Sequence, residues 1–334
     1  MNGLRINKFL CWCIVFQLLG SCQSEKGVIM TVNGPKPISA MGVTLAHEHV
    51  MVDFVGADST GPHRWDRQEV VERALPFLTE LESVGCQTLI ECTPAYLGRD
   101  PALLLLLTQN TGLHIVTNTG FYGARNNLYI PARVYGMTAR ELADEWIAEF
   151  NDGIGETGIR PGFIKISVDA NDELSATHKK LIEAAALTHQ ETGLVIMSHT
   201  GPDEPAFDQL AVLEKMNVPA SAFIWTHAQN GTLEGWKKAA EMGAWVSLDN
   251  VNINNIEQYV RNLRAMKSAG LLDRVLISHD SGWYSVGEEN GGDYNGYTVI
   301  FRGLIPALRK SGFTDKDIRQ LLEKNPAHAF RLHL

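Results

Sequence analysis

Residues 43–52 read Val43-Thr44-Leu45-Ala46-His47-Glu48-His49-Val50-Met51-Val52, an apolar run interrupted near its end by two histidines and a glutamate. A short apolar run of this kind predicts a strand covered on both faces, as in a parallel sheet. A doubly wound sheet that binds a nucleotide would carry a glycine-rich phosphate loop after its first strand. Here that place holds Ala46-His47-Glu48-His49, which favours a barrel with polar residues gathered at its strand ends. On a strand His47 and His49, two apart, share a side and are able to bind one ion together.

Seven further runs follow, at Cys86–Thr93, His114–Phe121, Phe163–Val168, Leu194–Thr200, Ala222–Ala228, Ala244–Asn250 and Val275–Asp280. Between them lie amphipathic, helix-like segments such as Arg67–Val84, Ala139–Asn151, Thr177–Glu191, Leu233–Met242 and Ile256–Ala269. Gly85, Gly193, Gly243 and Gly270 follow such segments, as helix C-caps do. Eight strands alternating with helices predict an α/β fold of the (β/α)8 TIM-barrel type. The chain has 334 residues, 45% hydrophobic and 20% charged, which excludes disorder. No linker-like stretch divides it after residue 27, so one domain is expected. The net charge of −9, with no basic tract, excludes a nucleic-acid surface.

The amino terminus is read apart from the fold. Arg5 and Lys8 precede an apolar run from Phe9 to Leu19, the length of a signal-peptide core and too short for an ordinary membrane span. The run ends in Leu19-Gly20-Ser21-Cys22 and resembles a bacterial lipoprotein signal, in which the cysteine is lipidated and becomes the first mature residue. The reading is a signal peptide over 1–21, a tether over 22–34 and the barrel domain over 35–334. It implies export and anchoring of a soluble domain at the bacterial cell envelope through Cys22; the alternative is an ordinary cleaved signal in which Cys22 is incidental. Of the remaining cysteines, Cys86 and Cys92 are expected to be small buried hydrophobes.

Polar residues recur at the C-terminal ends of the runs, where barrel active sites are built. Lys165 sits inside the apolar run Gly162-Phe163-Ile164-Lys165-Ile166. Three later runs end in Ser198-His199-Thr200, Thr226-His227-Ala228 and Ser278-His279-Asp280. His279, adjacent to Asp280, is expected to point away from it. Four histidines, a lysine and an aspartate therefore face one mouth.

These residues, with Thr44-Leu45-Ala46 before His47 and Asn325-Pro326-Ala327 near the end, resemble the phosphotriesterase family of the amidohydrolase superfamily over nearly the whole mature chain. The resemblance implies two divalent metal ions, zinc being the usual one. It implies His47, His49 and Asp280 on one ion, His199 and His227 on the other, and Lys165, carboxylated on its ε-nitrogen, bridging both. Charge supports the modification, because an ammonium between two cations would be strongly repelled and a carbamate offsets them. A hydroxide shared by the ions would attack, one ion would polarise the substrate oxygen, and Asp280 would accept the proton.

The expected reaction is hydrolysis of a small-molecule ester-type bond. A lactone or carboxylic ester is favoured because Tyr122, in Thr119-Gly120-Phe121-Tyr122, matches a tyrosine beside the metals in lactonase-like members; a packed rim aromatic is the other reading. Asn250 stands where such members often carry arginine, which weakens the transfer of lactone specificity. A phosphoester hydrolase with the same site is the alternative, and an inert ligand-binding surface lipoprotein a third. Glu91 and Thr93 are expected to support the ligands from behind. Residues 281–295, with Trp283 and Tyr284, are read as a substrate lid, their acids alternatively being solvated charge. The family often dimerises, so a homodimer is a further implication.

Overall fold

The structure, a computed structural model, describes residues 27–170 and 173–333. The segment read as a signal peptide, and Cys22, lie outside the described residues. Strands β1 (Val28–Thr31) and β2 (Gly34–Pro37) form an antiparallel hairpin, and Val28 also bridges to Leu332 near the other terminus. Ile29 and Met30 are buried. The tether expected over 22–34 is therefore shorter: from Val28 onward the chain is part of the domain, because alternating apolar residues there cover the floor of the barrel.

The barrel staves are β3 (Thr44–Glu48), β5 (Thr88–Glu91), β6 with β7 (His114–Val116 and Asn118–Thr119), β8 (Phe163–Ser167), β9 (Ile196–His199), β10 (Phe223–Thr226), β11 (Trp245–Leu248) and β12 (Val275–Ile277). The third stave is split at Thr117; β4 (Met51–Val52) stands outside the ring. All neighbouring staves pair in parallel. Closure comes from β3 against β12, where the His47 amide donates to Ser278 Oγ at 2.9 Å and the Asp280 amide to the His47 carbonyl at 3.1 Å. Each apolar run of the sequence became a stave.

The helices α1 (Arg67–Ser83), α2 (Pro101–Gln109), α3 (Ala139–Asp152), α4 (Ala176–Thr192), α5 (Asp203–Lys215), α6 (Leu233–Glu241) and α7 (Ile256–Ser268) wrap the ring, followed by α8 (Ile305–Lys310), α9 (Asp315–Arg319) and α10 (Asn325–Ala329). Their limits follow local chemistry. Asp66 caps α1 through the Gln68 and Glu69 amides, and Thr138 with Glu141 forms a capping box on α3. None of the described helices is long and apolar enough to cross a membrane.

Two apolar cores result. Alternate residues such as Ile164 and Ile166 of β8 pack outward under the helices, while Phe163, Ile90, Val116, Met197, Ile224 and Leu276 fill the barrel interior. Phe330 plugs the floor, edge-on to Phe163 at 5.6 Å. The inward series then turns polar: above Phe163 comes Lys165, and above Met197 comes His199. Alternation along each stave thus carries the side chains from oily floor to polar mouth.

Asn325 accounts for its place in the Asn-Pro-Ala motif. Fully buried, it donates Nδ2 to the carbonyls of Leu272 and Val275 at 2.8 and 2.6 Å, tying α10 beneath β12. Removing it orphans two buried acceptors. Asn325→Ala is expected to cost about 2 kcal/mol of unfolding free energy, read as a lower urea midpoint at unchanged slope.

Candidate metal centre

The strand ends bring His47, His49, Lys165, His199, His227 and Asp280 into one pocket, whose walls are Phe54, Cys92, Pro94, Leu97, Tyr122, Arg125, Tyr129 and Trp283. Local backbone irregularities make this possible. Between Leu45 and Glu48, β3 carries one residue more than β5 opposite it. This bulge lets Ala46 face the interior and still brings His47 and His49 to the mouth. His227 and Asp280 adopt left-handed backbone, with φ of 59° and 57°, a strain of the kind that persists where surrounding structure enforces it.

The imidazoles are held from behind. His47 Nδ1 lies 2.9 Å from Asp249 Oδ2 and His227 Nδ1 lies 2.7 Å from Asp249 Oδ1. Thr93 Oγ1 donates to the Met51 carbonyl at 3.0 Å, so it accepts from His49 Nδ1 at 2.8 Å. In His47 and His49 the Nε2 lone pair is therefore left facing the pocket. Burial, then the nearby Lys165 charge, lowers the His47 pKa to about 4. Burial, followed by His227 and Lys165, lowers that of His199 well below the ordinary value. For His227, burial opposes charging but Asp249 and Asp280 together raise the pKa.

Facing these lone pairs is another acceptor. Asp280 Oδ1 sits 3.0 Å from His49 Nε2 and 3.5 Å from His47 Nε2, buried and without a hydrogen-bond donor in bonding geometry. Burial opposes ionisation of Asp280, but His47 and His49 hold its carboxyl far below the usual range. His47, His227 and Asp280 offer ligand atoms all within 4.8 Å of one another. Lys165 Nζ, 3.4 Å from His47 Nε2, is 1% exposed and has no carboxylate at ion-pair distance among the described residues. His199 stacks edge-on to His227 at 4.3 Å between ring centres. Converging acceptors around a buried nitrogen match the donor chemistry of divalent cations.

The supporting residues fall behind this group. Thr93 touches His49 as described, and the Glu91 carboxylate accepts from the amides of Val50 and Thr93, both at 3.3 Å; burial raises its pKa. Tyr122 lies 5.1 Å from the His199 ring. Its pKa is raised by burial and then by Asp280, so the hydroxyl keeps its proton. Cys86 and Cys92 are free and buried, the first with its pKa pushed up to about 12 by burial. Gly120 is confined by the site: a Cβ there would come within 2.2 Å of the Lys165 carbonyl oxygen.

Two residues were passed over at the level of sequence. Asp249, fully buried, binds two histidines at once and also accepts from Ser247 Oγ at 2.9 Å; its burial opposes ionisation, but His227 and His47 hold it well below its usual pKa. Its signal was an acid at the end of an apolar run. Glu48 accepts from Ser278 Oγ, from the His279 and Ser281 amides, and from His279 Nδ1, all at 2.7 to 2.9 Å. It thereby clamps both sides of the left-handed Asp280. His279 turns outward, its Nε2 accepting from the Ile300 amide at 3.0 Å. The segment read as a lid is fastened: β13 (Tyr284–Ser285) pairs with β4, Gly282 and Asn295 exchange backbone hydrogen bonds, and of its side chains Trp283 reaches the pocket.

Known proteins resemble this chain over nearly all of the described residues. The model of the phosphotriesterase family matches residues 27–330. The phosphotriesterase homology protein of Escherichia coli is 31% identical over 294 residues, covering 87% of this chain and 98% of that protein. The aryldialkylphosphatase of Saccharolobus solfataricus is 27% identical over 305 residues, covering 87% and 95%. A solved structure described as the molecular engineering of organophosphate hydrolysis activity from a weak promiscuous lactonase template superposes with a TM-score of 0.81 at 26% identity, covering 91% of this chain and 99% of that one.

Because Asp249 fixes two candidate ligand histidines, His47 and His227, through one carboxylate, Asp249→Asn should weaken divalent-metal binding about 10- to 100-fold. Metal retained after dialysis against graded chelator reads this directly, with circular dichroism confirming the fold.

Proposed function

The chain belongs to the phosphotriesterase family, and we propose that it is a binuclear-metal hydrolase that cleaves a lactone or carboxylic ester. The observation that carries this reading is the convergence of the His47 and His49 Nε2 lone pairs on the donorless Asp280 Oδ1 beside buried Lys165. His47, His49, His199, His227, Asp280 and a carboxylated Lys165 would hold two divalent ions, zinc in the favoured reading. When bound, these ions supply Lewis-acid polarisation of the substrate oxygen and a water of lowered pKa.

The chain's own residues do the rest. Asp280, clamped by Glu48 and with its carboxyl held below the usual range by His47 and His49, takes the proton of the attacking water on a carboxylate oxygen. Tyr122, protonated, presents a hydroxyl donor toward the developing negative charge on the substrate. Trp283 lies 4.2 Å from the His49 ring and Phe54 stacks on it at 5.7 Å, so the mouth is walled with rings that exclude water from the attacked carbon. Asp249 and Thr93 keep the imidazoles in the tautomer that faces inward.

Phosphoester hydrolysis by the same groups is the second reading, favoured by the aryldialkylphosphatase relative. An inert surface lipoprotein would have no use for six convergent polar side chains. Export and anchoring through Cys22 rest on the sequence of residues 5–22 alone.

Three changes test the reading. The reconstituted protein is expected to hydrolyse lactones or carboxylic esters, losing activity with a chelator and regaining it with zinc or manganese. Asp280→Asn should lower kcat on the best substrate by at least about 100-fold. Lys165→Ala should lose metal stoichiometrically, and intact-mass measurement of the native protein should find the mass of one carbon dioxide that the variant lacks.

A further inference from the structure

Two walls of rings run from the histidine cluster to a single guanidinium. On one side the His49 ring lies 4.2 Å from Trp283, Trp283 stacks on Phe54 at 5.7 Å, and Arg125 Cζ lies 5.7 Å from the Phe54 centroid. On the other the His199 ring lies 5.1 Å from Tyr122, Tyr122 meets Tyr129 edge-on at 5.6 Å, and Arg125 Nη1 donates to the Tyr129 hydroxyl at 3.2 Å. All seven residues line the same pocket. The result is a narrow pocket with the histidine cluster at its base, aromatic sides that approach each other to 6.5 Å between the Phe54 and Tyr129 ring centres, and one cation at its outer end.

Among the described residues no carboxylate lies at ion-pair distance from the Arg125 guanidinium, although acids stand close by. Asp53 is taken by Arg64 at 2.6 Å. Asp169 accepts from the backbone amide of Arg125 at 2.6 Å and from that of Asn126 at 3.3 Å, so it fixes the main chain rather than the side chain. Arg125, Asn126 and Asn127 are consecutively left-handed, with φ of 58°, 55° and 60°. Asparagine tolerates that conformation and arginine does not, so an arginine here is held against a local preference, at a position tied to the end of β8.

The geometry points to Arg125 as a specificity-determining residue of the hydrolase proposed above, receiving an anionic oxygen group at the end of the substrate remote from the scissile bond. A guanidinium lacking an acid partner pairs with such a group through two parallel hydrogen bonds, and the Phe54 ring on its flank, itself partly open to solvent, supports the guanidinium face. The substrate class is an ester or lactone with a flat or apolar middle, filling the pocket, and a terminal carboxylate, sulfonate or phosphate.

The test uses the zinc-reconstituted full chain, wild type, Arg125→Gln and Arg125→Lys. Substrates are a phenyl ester of an ω-carboxyalkanoic acid, its ω-sulfonate and ω-phosphate analogues, and its neutral ω-carboxamide. Wild type is expected to prefer one or more anionic esters over the carboxamide. In Arg125→Gln that preference should shrink about 10- to 100-fold, through KM rather than kcat, and Arg125→Lys should restore part of it; the anion with the largest effect identifies the group. Equal turnover of anionic and neutral esters by wild type, or equal loss for both in Arg125→Gln, overturns the inference and leaves the hydrolase reading intact. Calorimetric binding of a phenylpropanesulfonate, a poor metal ligand, separates the two claims. If no ester is turned over, sulfonate binding that weakens in Arg125→Gln upholds the anion site while the hydrolase reading falls; sulfonate binding alike in both proteins removes the anion site.

Discussion

The convergence of four histidines, a lysine and an aspartate on one barrel mouth is the constraint on which the rest of this molecule depends. Two imidazole Nε2 atoms lie 3.0 and 3.5 Å from one carboxylate oxygen of Asp280, with buried Lys165 Nζ 3.4 Å from one of them. Such an arrangement is unfavourable for a bare chain and favourable around cations. The surrounding network prevents it from relaxing: Asp249 grips two rings from behind, Thr93 a third, and Glu48 holds the backbone on both sides of Asp280. On the proposed reading, metal binding would be coupled to folding of the mouth, and the left-handed His227 and Asp280 would be part of what that coupling stabilises.

The same constraint explains the division of labour between floor and mouth. Phe163, Met197 and Leu276 fill the lower barrel, and the next inward positions on the same staves are Lys165, His199 and Ser278. A rigid apolar base fixes where each stave ends, and the ends fix where each ligand atom lies. Elements outside the ring serve that geometry too. The amino-terminal hairpin and Phe330 seal the floor, and Tyr297 donates to the His49 carbonyl at 2.7 Å, holding the first stave from the far side.

Much of this is legible in the amino-acid sequence. Fully buried parallel strands are continuous apolar runs, so all the staves stood out, and a histidine or lysine at the end of such a run stood out against them. What escaped was whatever depends on partners distant in sequence. Glu48 lies between the two histidines of the first stave, yet its role needs Ser278, His279 and Ser281 beside it. Asp249 looked like any acid at a strand end until two rings were found to share it. The bulge in β3 is invisible in composition, because alternation in the sequence counts residues and not pairing. The tether was drawn too long since residues 28–37 are too short a strand pair to announce themselves. The supposed lid is fastened by backbone pairing with Met51 and Val52, which side-chain character does not encode.

The most direct measurement of the central claim is anomalous diffraction at the zinc edge from crystals of the zinc-reconstituted protein. Two anomalous peaks are expected among His47, His49, His199, His227 and Asp280, with electron density for a carboxyl group on Lys165 reaching both. A mouth with no anomalous peak, and Lys165 as a bare ammonium paired with Asp280, would contradict it.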